Sequence, residues 1–71
     1  MRGENRKYVY LVYDEIHGLQ YACADKDKAT EKMNNIAFNI YEIPKHWEPE
    51  YNDEDCYGYE GAAMWYKVEV E

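Results

Sequence analysis

Long apolar runs are missing from this chain. No stretch approaches the roughly 18 apolar residues a membrane-crossing helix needs, and mean hydropathy is −0.91 with 32% of residues charged. The opening MRGENRKY carries charge but no apolar h-region, so no signal peptide is expected. Cysteine is scarce. Cys23 and Cys56 stand alone, without C-x-x-C or H-x₃₋₅-H spacing, so His17 and His46 do not combine with them into a zinc framework. With no export signal, the two are expected as free thiols in a reducing cytoplasm.

Basic residues are also few. Eight Lys and Arg stand against 15 Asp and Glu, a net charge of −7. Nonspecific nucleic-acid binding needs cations to displace counterions from phosphate, so the charge argues against direct binding of that kind. The glycines form no phosphate-binding loop, since Gly58 and Gly61 follow an acidic run that repels phosphate. Asp53, Glu54 and Asp55 with Glu50 lack the ligand order of an EF-hand loop. His46 and Cys56 have no orienting third group or oxyanion motif beside them. No enzyme activity, cofactor or metal is therefore expected.

What remains is a single short domain, residues 1–71, rich in rings. Nine Tyr, two Trp and one Phe exceed what so small a core can hide, so several should be partly exposed. Residues 1–6 are polar and expected to fray. Residues 7–13, KYVYLVY, read as a strand from their β-branched and aromatic content. Residues 14–18, DEIHG, read as a turn, and residues 19–24, LQYACA, as the second strand of a hairpin.

Residues 25–41 form the clearest element. Ala29, Met33, Ile36, Ala37 and Ile40 recur at helical spacing and share one stripe, with Phe38 on the opposite side. Asp25 suits the N-cap, and Ile43-Pro44 ends the helix. Residues 42–61 read as a long loop broken by Pro44, Pro49, Gly58 and Gly61. Residues 62–70 alternate as a last strand.

These elements predict an α+β fold, ββαβ: a three-stranded antiparallel-type sheet of order 2-1-3 with the helix packed on one face. The helix-facing set would be Val9, Leu11, Tyr13, Leu19, Tyr21, Cys23, Met64, Tyr66 and Val68. The other face would carry Tyr8, Tyr10, Val12, Ala22 and Trp65. A slip of one residue exchanges the two sets.

Val9-Tyr10-Leu11-Val12, Asp14-Glu15, Asp25-Lys26-Asp27-Lys28-Ala29 and Trp65-Tyr66-Lys67-Val68-Glu69 together resemble a group of small, uncharacterised phage and prophage proteins. The resemblance implies a ββαβ fold and a mobile-element origin, and it brings no active site.

The most distinctive stretch outside the core is acidic and aromatic: Trp47, Glu48, Glu50, Tyr51, Asp53, Glu54, Asp55, Tyr57, Tyr59 and Glu60, with no Lys or Arg among them. Carboxylates on a compact scaffold can imitate nucleic-acid phosphates while the rings supply contact area. The competing reading is a solvated loop whose rings fold back over the helix, anchored by Phe38. Tyr8, Tyr10 and Trp65 form a second candidate interface, suited to a homodimer or a protein partner.

The function expected is that of a small, cytoplasmic, phage-type binding protein. It would inhibit a basic nucleic-acid-binding host protein, such as a defence nuclease, in the manner of anti-CRISPR or anti-restriction inhibitors. The alternative is a self-associating accessory domain that uses the aromatic sheet face.

Overall fold

In the computed structural model, which describes residues 7–70, the first β-branched and aromatic run forms strand β1, Lys7–Asp14. A turn through Glu15, Ile16 and His17 leads into β2, Gly18–Cys23, antiparallel to it. The fraying expected of residues 1–6 lies outside the described residues. Asp25 then caps α1, Lys26–Asn35: its Oδ1 accepts from the Asp27 N–H at 2.9 Å and the Lys28 N–H at 3.4 Å. Such a cap contributes about 1 kcal/mol.

The helix does not end there but widens into a π-helical turn, Ile36–Ile40, closed by Tyr41 N–H donating to Ile36 O at 3.2 Å. A wider turn advances each side chain by a smaller angle, so the apolar stripe drifts. Ala29, Met33, Ile36 and Ala37 are buried as expected, but Ile40 is 60% exposed. Phe38 and Tyr41 pack against the core instead. Glu42, at φ +58°, reverses the chain before Ile43-Pro44.

The connection after the helix is not an irregular loop. It contains β3, Tyr51–Asn52, and β4, Cys56–Tyr59, ahead of β5, Ala63–Val70. The sheet has five strands in the order β2-β1-β5-β4-β3, every neighbouring pair antiparallel. This overturns the expected three-stranded ββαβ sheet; the fold is mostly β with one helix. Two and four residues are too few to display alternation, and Gly58 read as a breaker. In fact Gly58 is the residue that lets β4 close on β5. Its φ is +145°, and a Cβ there would stand 2.4 Å from Ala63 O.

The faces of β1 and β5 are also the reverse of those expected. Val12 pairs with Trp65, and both are fully buried beneath the helix. Tyr10 meets the Trp65 ring edge-on at 5.1 Å, and Tyr57 stacks on it at 5.8 Å. Val9, Leu11, Tyr13, Met64, Tyr66 and Val68 therefore lie on the opposite face, outside the core. Hydropathy alone chose the wrong set because both faces of β1 are apolar. Burial of the large indole, with its N–H donating to Thr30 Oγ1 at 2.9 Å, decides the register.

On β2, Tyr21 and Cys23 do face the helix. Leu19 does not. The pairing slips between Val12↔Tyr21 and Tyr13↔Leu19, leaving Gln20 as the extra residue of a bulge. Among the described residues, no helix is long and apolar enough to cross a membrane.

Candidate functional site

The acidic aromatic stretch folds as the β3–β4 hairpin and the segments flanking it. Tyr51 pairs with Gly58 and Asn52 with Tyr57, which leaves Asp53, Glu54 and Asp55 at the tip. Two backbone bonds hold that tip. Asp53 N–H donates to Cys56 O at 2.8 Å, and Lys67 N–H donates to Asp55 O at 2.7 Å. The second bond ties the tip to β5, so the three carboxylates project from fixed backbone.

Behind the tip, Glu48, Glu50 and Glu60 are exposed as well. Glu50 Oε1 accepts from the Glu60 N–H at 2.7 Å, and the Tyr51 hydroxyl donates to Glu60 Oε1 at 3.2 Å. The Glu60 charge, followed by that hydrogen bond, pushes the Tyr51 hydroxyl above its usual pKa. Tyr51 is thereby kept as a proton donor at the sheet edge. Among the described residues, none of Glu48, Glu50, Asp53, Glu54, Asp55 and Glu60 has an ion-pair partner. Three lysines lie over rings: Lys67 over Tyr8 at 4.1 Å, Lys32 over Tyr21 at 5.3 Å and Lys26 over Trp65 at 6.0 Å.

The aromatics divide differently from the carboxylates. Tyr59 is 5% exposed, meets Phe38 edge-on at 5.7 Å and donates its hydroxyl to Trp47 O at 2.9 Å. Burial, then the neighbouring Tyr57 and Glu48, pushes the Tyr59 pKa up. Tyr57 stacks on Trp65. These two rings anchor the hairpin to the core, and only Trp47 and Tyr51 are exposed for contact. Trp65 is fully buried and Tyr10 leans on it, so the second candidate interface of Tyr8, Tyr10 and Trp65 is largely interior; Tyr8 alone reaches the surface.

Two features escaped the sequence. Asp14 is 3% exposed yet charged. Burial opposes that charge, but hydrogen bonds from the Tyr41 hydroxyl, the Ile16 N–H and His17 outweigh it and hold its pKa at about 2. Asp14-x-x-His17 beside a turn was the available signal; Tyr41, 27 positions away, was not. The second is a cleft of about 310 Å³ at the end of the sheet where β1 meets the β4–β5 turn, lined by the outer-face Tyr13, Met64 and Tyr66 together with Asp14, Glu15, Gly61 and Ala62 among others. Tyr13 and Tyr66 meet there edge-on at 5.5 Å. Among the described residues, no three His, Cys, Asp or Glu side chains group so as to hold a metal ion. The chain matches no family model, no curated protein and no solved structure.

Proposed function

We propose that this chain is a small acidic protein-binding protein that occupies the nucleic-acid-binding surface of a basic partner. The β3–β4 hairpin would stand in for phosphates. One observation carries the reading: six exposed carboxylates along one edge of the sheet lack cationic partners among the described residues, on backbone pinned to β5. Glu50 and Asp53, three residues apart in extended chain, would present charges roughly 10 Å from each other. A field of that sign steers Lys- and Arg-rich surfaces toward it and raises association rates. Trp47 and Tyr51 flank the carboxylates and supply apolar contact.

On this reading the protein acts by occupancy, without catalysis, in the cytoplasm of the cell whose protein it blocks. A nuclease of a bacterial defence system is the concrete form of that partner, following the resemblance to phage proteins. The test is a pull-down from bacterial lysate at low and high salt, with duplex DNA added as competitor. Nucleic-acid-binding proteins should be captured at low salt and released by the DNA. Capture that DNA leaves untouched would overturn the proposal.

A separate observation favours a second reading. The sheet face turned away from the helix exposes apolar side chains, as a self-associating domain would.

A further inference from the structure

An antiparallel sheet with one wet face normally alternates apolar-in and polar-out. Here the outer face carries Val9, Leu11, Tyr13, Leu19, Tyr66 and Val68, of which Leu19 is 52% and Tyr66 40% exposed. The one helix among the described residues lies on the opposite side, so nothing among those residues covers this face. Strand rise and spacing give it roughly 500 Å². Packing two such faces would bury on the order of 1,000 Å², the lower bound for a specific interface.

Charge at the two ends of the face selects the occupant. Lys7 belongs to the outer-facing set of β1 and stands at the end where β1 pairs with Val70. At the other end Glu15 joins Tyr13, Met64 and Tyr66 around the 310 Å³ cleft. One face thus bears a cation at one end and an acidic aromatic recess at the other. We propose that this face is a homodimer interface in which two copies pack sheet on sheet with their β1 strands antiparallel, each Lys7 entering the Tyr13–Tyr66 cleft of the other.

The two-fold axis follows from the charges. An axis across the strands brings Lys7 over the second copy's Tyr13 and Glu15, and Val9 over its Leu11, twice per dimer. An axis along the strands would set lysine end against lysine end and acid against acid. Tyrosine rings around a lysine ammonium, with a carboxylate at the rim, give it both cation–π and ionic partners. The aligned sheets would cross at about 30°, as in other packed sheet pairs.

Sedimentation across a concentration series tests this with the full chain. A species of twice 8.6 kDa is expected, and monomer at all concentrations would overturn the proposal. Tyr66→Asp and Val68→Asp, both at exposed positions, should dissociate it while the far-ultraviolet circular dichroism stays unchanged. A dimer that survives both is paired through a strand edge, and the face is then not the interface. Lys7→Glu and Glu15→Lys should each weaken dimerisation at least tenfold, and the double reversal should restore it. Failure to restore overturns the antiparallel arrangement. Neutralising the hairpin tip should leave the dimer unchanged, which separates this proposal from the nucleic-acid-mimic reading.

Discussion

The Tyr41 hydroxyl donates to Asp14 Oδ1, joining the turn after the π-helical segment to the end of β1. Ile16 N–H donates to both partners, at 2.8 Å to Asp14 Oδ1 and 3.2 Å to the Tyr41 oxygen. His17 adds its own N–H at 3.3 Å and its Nδ1 at 3.2 Å from Oδ2. A nearly inaccessible carboxylate is tolerated because every neighbour aimed at it donates.

Stability should therefore depend on pH at both extremes. Asp14 falls from an ordinary 3.8 to about 2 in the folded protein. Its contribution is fully present above about pH 4 and lost as pH falls toward 2, where the folded carboxylate takes up its proton. Tyr41 shifts the other way: burial, then its bond to Asp14, raises it above 10.0. Its contribution is present below pH 10 and lost as pH rises beyond, where the unfolded phenol ionises first. Urea midpoints from pH 2 to 11 should form a plateau with two falling limbs. Tyr41→Phe should make both limbs shallower, while the Ile16 and His17 donors to Asp14 and the raised Tyr51 and Tyr59 keep part of each.

Gly58→Ala tests the close approach of β4 to β5. With Ala63 O 2.4 Å from the added carbon and φ at +145°, the strand must shift or strain. The expected loss is about 2 kcal/mol or more, read as a lower denaturation midpoint. A variant as stable as the parent would show that the hairpin adjusts without strain.

Thr30→Val probes the bond that orients the core. The Trp65 indole N–H, fully buried, donates to Thr30 Oγ1. Valine keeps the shape and removes the acceptor, so an unsatisfied donor should cost roughly 1–3 kcal/mol. Thr30→Ser keeps the acceptor and should lose less.

Glu50→Gln, Asp53→Asn, Glu54→Gln and Asp55→Asn together should leave stability within about 1 kcal/mol, because all four side chains are exposed. Glutamine at position 50 can still accept from the Glu60 N–H. Each exposed pair with a partner contributes only about 0.2–1 kcal/mol, but four in one field should change affinity by orders of magnitude, most at low salt. Trp47→Ala should weaken binding with little salt dependence. Tyr59→Ala, by contrast, should destabilise the fold by roughly 3 kcal/mol. Equal binding by wild type and the fourfold variant would falsify the mimic reading.

The chain shows how far local pattern reaches. The strand signal of residues 7–13, the Asp25 cap and the Ala29–Met33 stripe are short-range effects, and the structure realises each of them. β3 and β4 were hidden because two and four residues carry no period, and because Gly58 serves a backbone contact visible only with β5 in place. The faces of β1 could not be told apart by hydropathy, with Val9 and Leu11 on one side and Tyr10 and Val12 on the other. A tertiary fact, the fit of Trp65 under α1, breaks that tie. For the site, the acidic run was legible because charge does not depend on fold. Which of its rings were free was not, because Tyr57 and Tyr59 differ from Tyr51 only in the side of the hairpin they occupy.

β1 and β5, neighbours near the centre of the sheet, come from opposite ends of the described chain. Among the described residues their pairing is the most non-local contact, and the long loop must be closed before any of it is rewarded. Such a topology puts folding in the millisecond-to-second range rather than the microsecond range of small helical domains. During synthesis β1 and β2 can pair early, but β1 keeps one unsatisfied edge until β5 leaves the ribosome. Like charge on the acidic intervening segment opposes the pairing of half-made chains while that edge waits for its own strand.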